Sequence, residues 1–341
     1  IVEECKNREP CTYNPSLLNR PNKNKIKFKN YEIFQSDMRV NQGINKALSS
    51  ILEKDNKALL FGEDIMSPYG GAFKVSAGLS DKFPEQVYAS SISELGLVGL
   101  ANGLALMAFR PYVEIMFGDF STLIIDQIVN GAVKFEKMYG SNVICPIKIR
   151  MPMGAGGGYG PTHSQSLEKL FLTIDGLDVV APNRLLDPIK LYSEIHTSEK
   201  PTLILEHKKE YAEYYDINCT NFNDITISDE KYPTITLTPK LQLPSVVIFT
   251  YGNGLIHALD LQMKIFRHEE KFAKVVIFSK LTDLNEQALH KSTIKIEELI
   301  IMEDGTIRSG WGAEIITRLQ EMGVIIRKIK RLGAKSSIIP A

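Results

Sequence analysis

The sequence has little that would place the protein outside a reducing compartment or against a nucleic acid. It contains only four cysteines in 341 residues, and Cys5, Cys11, Cys145 and Cys219 lack the paired spacing of a metal site. Cys5 and Cys11 could form a bridge, but one short loop does not make a disulfide scaffold, which favours a reduced, cytoplasmic protein. Lysine plus arginine equals aspartate plus glutamate at 40 each, so we expect no nucleic-acid partner and no anionic membrane surface. No apolar run approaches the roughly 18 residues of a membrane-spanning helix, and the polar N-terminus does not resemble a signal peptide.

Several motifs that bind phosphate or metal are also missing. The sequence has no phosphate loop ending in Gly-Lys-Ser/Thr and no Gly-x-Ser-x-Gly nucleophile elbow. Tyr251-Gly-Asn-Gly254 follows a predicted strand but lacks the third glycine of a dinucleotide fingerprint. Glu303-Asp-Gly305 forms an acidic turn without a second ligand placed to hold magnesium. We therefore predict no metal-binding residues in this chain.

The residues that are present favour an α/β fold with two parallel-sheet domains. Hydrophobic residues make up 44% of the chain, enough for two cores, and apolar strands alternate with amphipathic helices. Four segments are predicted: an N-terminal extended arm at 1–36, a first α/β domain at 37–215, a linker with at most one weak strand at 216–243, and a smaller α/β domain at 244–341. The arm either lies on a partner or is disordered.

The stretch from Ser91 to Asp126 organises the chain. One carboxylate, Glu94, stands at the head of a segment whose apolar residues have helical spacing and which is apolar on nearly every side, so we predict a buried helix. The pattern alone favours Glu94 as a helix cap at the positive end of the helix dipole. The alternative is a buried acid whose proton takes part in chemistry.

A glycine-rich run from Gly154 to Gly160 cannot be the interior of a helix or strand. Such a loop either turns tightly or lets the backbone approach a ligand. His163 follows directly, and a histidine on a polar loop titrates near neutral pH, which suits proton transfer. By itself, His163 is better explained as a surface residue.

Four motifs occur together in one order and spacing: Ile92-Ser-Glu-Leu-Gly96, Arg110-Pro-Tyr-Val-Glu-Ile-Met-Phe-Gly-Asp-Phe120, Asp126-Gln-Ile-Val-Asn130 and His163-Ser-Gln165. In these motifs the chain resembles the beta subunit of the thiamine-diphosphate-dependent 2-oxo acid dehydrogenases of the pyruvate and branched-chain type, in the transketolase superfamily. The resemblance extends over about residues 37–341. It implies a pyrimidine-binding domain followed by a transketolase C-terminal domain.

The resemblance assigns roles to five residues. It implies that Glu94 hydrogen-bonds N1′ of the aminopyrimidine and so drives the imino tautomer that removes the thiazolium C2 proton. Ile92 would offer its backbone carbonyl to the 4′-amino group, and Met116 and Phe120 would pack on the pyrimidine ring. His163 would handle protons while the acyl unit moves from a cofactor-bound carbanion or enamine to a lipoyl group.

The same resemblance implies a missing half of the active site. Family enzymes hold the cofactor diphosphate through Mg²⁺ on a Gly-Asp-Gly…Asn motif of the alpha subunit, and no such motif occurs here. We therefore expect thiamine diphosphate to be shared with an alpha partner in an α2β2 assembly, with Mg²⁺ held by that partner. A lipoyl domain or carrier protein would be the second partner.

Some segments depart from the family pattern. Phe278-Ser-Lys-Leu-Thr-Asp-Leu284 lacks the arginine and proline of the usual Leu-Arg-Thr-x-x-Pro segment, and the sequence stops at Ala341 where relatives continue, so the second domain looks truncated. Ser198 and Lys200 stand where some relatives have aspartate and asparagine near a structural K⁺, which suggests that lysine replaces the ion.

These departures leave two rival functions open. One is a two-subunit transketolase-like enzyme of specialised metabolism, which would transfer a two-carbon ketol unit from a ketose phosphate to a lipoyl or carrier-protein thiol. The other is a non-catalytic assembly subunit.

Overall fold

The computed structural model describes residues 26–140 and 143–335. The possible Cys5–Cys11 bridge and residues 1–25 of the predicted arm lie outside this part of the chain. Two large sheets, each covered by helices, form the body of the molecule. The predicted α/β class is confirmed.

The first sheet has six strands, all parallel, in the order β4-β3-β5-β6-β8-β7. Its strands are β3 (Ala58–Gly62), β4 (Val87–Ala89), β5 (Arg110–Glu114), β6 (Lys148–Met153), β7 (Asp178–Val180) and β8 (Thr202–His207). Every residue of the inner strands β3 and β6 is buried, as expected when helices cover both faces of a parallel sheet.

The helices of this first unit are α1 (Val40–Lys54), α2 (Leu79–Lys82), α3 (Glu94–Leu106), α4 (Phe135–Tyr139) and α5 (Pro188–His196). Between β5 and β6 the chain forms a 3₁₀ turn at Gly118–Ile124, a π-helical turn at Gln127–Ala132 and the short α4. A small antiparallel pair, β2 (Ser36–Arg39) with β9 (Tyr214–Tyr215), joins the two ends of the unit.

The second sheet has seven strands in the order β1-β10-β11-β13-β12-β14-β15. These are β1 (Phe28–Asn30), β10 (Asn223–Ser228), β11 (Thr234–Pro239), β12 (Val246–Tyr251), β13 (Ala273–Phe278), β14 (Glu298–Thr306) and β15 (Lys328–Ala334), with helices α6 (Gly254–Glu269), α7 (Glu286–Thr293) and α8 (Trp311–Glu321). Only β13, β12, β14 and β15 are mutually parallel, whereas β1, β10 and β11 pair antiparallel.

The predicted linker and the end of the predicted arm differ from the sequence prediction, because both contain strands of the second sheet. The predicted linker at 216–243 contributes the antiparallel strands β10 and β11, in which polar residues alternate with isoleucine or leucine and which pair in register. The end of the predicted arm forms β1 on the edge of the same sheet. It is tied down by Tyr31, whose hydroxyl donates to the Leu185 carbonyl at 2.9 Å. Tertiary pairing overrode the low apolar content from which the sequence analysis predicted a linker and an arm.

The two units are joined along the edge strand β7. Backbone hydrogen bonds run from Ala181 to the Ser279 carbonyl at 2.8 Å and from Leu281 to the Val179 carbonyl at 2.9 Å. The buried apolar residues form two packed clusters, and each cluster contains residues of both large sheets. The core is thus continuous across the join.

Candidate active site

Because the strands of the first sheet are parallel, their carboxyl ends meet along one edge, where open α/β sheets bind ligands. The residues that follow the strand ends there include Glu63 after β3, Met116 after β5, Gly154 after β6 and Lys208 after β8. Ile92 and Glu94 follow β4 at the same edge. The topology brings the predicted motifs together.

Glu94 is the first residue of α3 and is 8% exposed. The helix cap is Ser93, whose hydroxyl oxygen accepts a hydrogen bond from the Gly96 N–H at 3.2 Å, so the helix-cap interpretation of Glu94 is wrong. Within the described residues, no hydrogen bond or ion pair joins the Glu94 carboxylate to another side chain. The carboxylate is therefore buried and available to a ligand.

Glu63 is a second carboxylate beside Glu94 that the sequence reasoning missed. It is 7% exposed, and its Oε1 is buried with no hydrogen-bond partner. Burial, and after it the negative charge of Glu94, raises the pKa of Glu63. The signal in the sequence was an acidic pair directly after a buried strand, at Gly62-Glu63-Asp64.

Phe120 and His163 are brought together, as the sequence analysis predicted for one site. Both are partly buried, and their rings meet edge to face with centroids 5.2 Å apart. Phe117 lies against the same imidazole at 4.8 Å. The Thr162 hydroxyl is 2.9 Å from His163 Nδ1. Met116 is partly buried just before the 3₁₀ turn that contains Phe120, and α3 packs on that turn, so the segment with Glu94 adjoins the segment with Phe120.

Lys208 lies beneath the loop that carries His163, and no sequence pattern singled it out. It is 7% exposed and donates a hydrogen bond to the His163 carbonyl. Burial lowers its pKa, against the opposing effects of Asp119 and Asp304. On the other side of the loop, Asp119 Oδ1 accepts hydrogen bonds from the Gln165 backbone and side-chain N–H groups at 3.2 and 2.8 Å.

The central helix α3 is only half covered, which differs from the prediction of a fully buried helix. Glu94, Leu97, Val98, Ala101, Asn102 and Ala105 face inward. The opposite face and its flanks expose Ile92 at 86%, Leu100 at 50% and Met107 at 72%. A Cβ at Gly103 would meet open space. Exposed apolar side chains along one face of a helix are typical of an interaction surface.

A buried lysine occupies the place where the sequence suggested a replacement for K⁺, but it is not Lys200. The Lys200 ammonium is exposed and lies 3.8 Å from Asp283. The fully buried Lys148 instead donates to the carbonyls of Ser198 at 2.8 Å and Lys200 at 2.9 Å, and to the Thr202 hydroxyl at 3.3 Å. The side-chain nitrogen of Lys148 is thus surrounded by three neutral oxygens of the 198–202 segment.

Across 26–140 and 143–335, no group of three or more histidine, cysteine, aspartate or glutamate side chains could hold a metal ion. None of the helices in this part of the chain is long and apolar enough to cross a membrane.

Comparison with known proteins agrees with this architecture. The family model of the transketolase pyrimidine-binding domain matches residues 36–213, and that of the transketolase C-terminal domain matches residues 240–341. A structure described as a split gene transketolase, an inactive beta4 tetramer, aligns with a TM-score of 0.69 at 18% identity, covering 88% of this chain and 89% of that one. The fold is thus that of a two-domain, transketolase-like α/β protein.

Sequence relatives identify the family within this fold class. The mitochondrial pyruvate dehydrogenase E1 component subunit beta of Saccharomyces cerevisiae is 31% identical over 289 residues, which cover 83% of this chain and 76% of that protein. The corresponding subunit of Rickettsia bellii is 31% identical over 277 residues, covering 81% and 82%. The chain belongs to the family of thiamine-diphosphate-dependent 2-oxo acid dehydrogenase beta subunits. Because one of these relatives is mitochondrial and the other bacterial, the cytoplasmic location stays a prediction.

Proposed function

We propose that this chain is the beta half of a decarboxylating 2-oxo acid dehydrogenase and that it passes the acyl unit to a lipoyl carrier. The observation that carries the proposal is the pair Glu94 and Glu63 at the carboxyl edge of a parallel sheet. One carboxylate is buried without a side-chain partner, and the other has a buried, unpartnered oxygen. Buried acceptors without donors are costly, so the pair fits a ligand that brings N–H groups, as an aminopyrimidine does.

Thiamine diphosphate, when bound, supplies a thiazolium carbon that can attack the 2-oxo group of a substrate and take up the charge released on loss of CO₂. This chain's residues would orient the pyrimidine half and move protons there. Glu94 would hold a proton against N1′ in a site from which the protein excludes water, where a carboxylate interacts more strongly than in solution. Ile92 would offer its carbonyl to the amino group, and Met116 and Phe120 would pack on the ring.

His163 would act at the second half of the reaction. Its imidazole lies beside Phe120, and its Nδ1 is near the Thr162 hydroxyl, which leaves Nε2 to face the cyclic disulfide of an oxidised lipoyl group, whose S–S bond breaks when one sulfur takes the acyl unit. A general acid there would protonate the departing sulfur of the lipoyl ring. This role stays a proposal for His163.

The rest of the site would come from an alpha subunit in an α2β2 assembly. The exposed face of α3 supports such a partner, because its apolar residues and Gly103 would let another helix approach closely. The partner would bring the diphosphate and Mg²⁺ ligands that no cluster of the described residues provides.

The first experiment measures thiamine diphosphate binding by calorimetry, with this chain alone and then mixed with its alpha subunit. Binding in the mixture only, made unproductive by Glu94→Gln, is the expected result. Glu94→Gln keeps the size of the side chain but cannot share a proton with N1′, so activity should fall by about a hundredfold or more. Leu172→Ala, a truncation at a partly buried position outside the residues assigned to the site, serves as the control for general destabilisation.

Other outcomes would replace the proposal. Tight Mg²⁺-dependent binding by this chain alone would reveal a complete site within it. A fully active Glu94→Gln complex would leave the non-catalytic assembly role. A donor screen separates the remaining rival, since turnover of a ketose phosphate without CO₂ release from 2-oxo acids would establish the transketolase-like reaction.

A further inference from the structure

We propose that Lys208 is a positioning residue that holds the His163 loop in the geometry needed for acyl transfer. The inference rests on the proposed role of His163 and adds a residue to it. Lys208 itself would not touch the reacting atoms.

Lys208 fastens both ends of the glycine-rich loop. Its backbone N–H donates to the Met153 carbonyl at 3.0 Å, at the point where β6 ends and the loop begins. Its ammonium donates to the His163 carbonyl, where the loop closes. Because Lys208 directly follows β8, and Met153 pairs with His207 in the sheet, both ends are tied to a rigid element.

Two aromatic rings fix the ammonium in place. Lys208 Nζ lies 5.1 Å from the ring centre of Phe117 and 5.6 Å from that of Tyr159. A cation at such a distance is attracted by the electron-rich face of an aromatic ring. The same Phe117 ring touches the His163 imidazole. Lysine, phenylalanine and histidine therefore form one packed group.

The loop has little stiffness of its own. Gly154, Gly156, Gly158 and Gly160 all have positive φ values between 75° and 97°, and glycine loses the most conformational freedom when a loop is ordered. Besides Lys208, the loop has the ring contacts of Tyr159 and His163 with Phe117, the hydrogen bonds of Gln165 to Asp119 and a long backbone bond from Gly154 to the Gln165 carbonyl at 3.4 Å. None of those contacts involves the His163 carbonyl. Among the contacts of the described residues, the bond from the Lys208 ammonium is the one that holds this carbonyl.

The test separates the two half-reactions in the assembled complex. CO₂ release with ferricyanide as the acceptor reports decarboxylation, which does not require His163, and acylation of a lipoyl domain reports transfer. Lys208→Met should lower transfer by about tenfold to a hundredfold, since small misplacements of a catalytic group have effects of this size, and should leave CO₂ release unchanged. Lys208→Arg keeps the charge and should restore most of the transfer.

A double-mutant comparison identifies the route of the effect. In a His163→Ala background, Lys208→Met should cause no further loss of transfer, because the residue acts through His163. Lys274→Met, at another partly buried lysine whose pKa burial lowers, is the matched control and should change neither half-reaction. Circular dichroism and gel filtration verify folding and assembly of each variant.

The possible failures are distinguishable. If His163→Ala leaves transfer intact, the proposed role of His163 is wrong and the inference falls with it. If His163→Ala abolishes transfer but Lys208→Met does not reduce it, only the inference is overturned. Equal losses in both half-reactions, or additive losses in the double variant, would make Lys208 a purely structural residue and also overturn it.

Discussion

The buried ion triad below the site gives the sharpest prediction about stability. Arg150, on β6, is 1% exposed. Its guanidinium donates to Glu114 on β5 at 2.6 Å and makes two bonds to Glu206 on β8, at 2.9 and 2.6 Å. One cation thus ties together three neighbouring strands and neutralises two buried carboxylates.

Replacing Arg150 with methionine would leave both carboxylates buried without their cation. Glu206 would keep the Tyr192 and Tyr211 hydroxyls as donors, whereas Glu114 would keep only the Ser76 hydroxyl at 2.9 Å. Removing one member of a buried ion pair costs about 3–5 kcal/mol. We therefore expect Arg150→Met to lower the free energy of unfolding by about that amount, with Glu114 as the larger contributor.

Urea unfolding followed by circular dichroism measures this change. Arg267→Met, at an exposed arginine of α6, is the control and should shift stability by no more than about 0.5 kcal/mol. Adding Glu114→Gln to Arg150→Met should recover part of the loss, because it removes the more weakly compensated charge. A loss below about 1 kcal/mol for Arg150→Met would refute the reasoning, since it would mean that the carboxylates are solvated or protonated at little cost.

Three further predictions concern the buried Lys148, the glycine-rich loop at 154–160 and the exposed face of α3. Burial lowers the pKa of Lys148 from 10.5 to about 7, so between these values the unfolded chain holds more protons, and the contribution of Lys148 to stability rises with pH. Lys148→Met should therefore flatten the pH dependence of Tm in that window, and an unchanged slope would contradict the shift. Gly154 has φ +97°, and a Cβ there would collide with the His207 imidazole. Gly158→Ala, with open space around it, should cost only the strain of its positive φ, about 1–2 kcal/mol in unfolding experiments, whereas Gly154→Ala should cost more because the collision adds to that strain; equal losses for the two variants would contradict this reasoning. Leu100→Lys should leave the melting of this chain unaltered but prevent co-elution with the alpha subunit on gel filtration, and normal assembly would exclude the α3 face as the interface.

The family and the fold class followed from the sequence because they depend on local, ordered patterns. The four motifs around Glu94, Phe120 and His163 follow one another at fixed spacing, and alternating apolar strands and helices define an α/β chain without knowledge of contacts. The matching family models and relatives confirm both predictions. The roles assigned to Ile92, Glu94, Met116, Phe120 and His163 stay predictions.

Other features depended on contacts between residues far apart in the chain. Strands β10 and β11 contain few apolar residues, and the sequence pattern therefore predicted a linker there. They belong to a sheet because β10 pairs with β1 and β11 pairs with β13. Ser93 rather than Glu94 caps α3, a choice between adjacent side chains that depends on backbone geometry. Lys148, rather than Lys200, meets the carbonyls of the 198–200 loop because parallel pairing places β6 beside β8.

The site itself shows the same division. The sequence determined which chemical groups the chain possesses, including an acid, a histidine and a flexible glycine loop. Only the parallel sheet decided that Glu63 lies next to Glu94 and that Lys208 holds the carbonyl of His163. Those positions follow from which strand ends are neighbours, and strand order is set by long-range hydrogen bonding that no local pattern encodes.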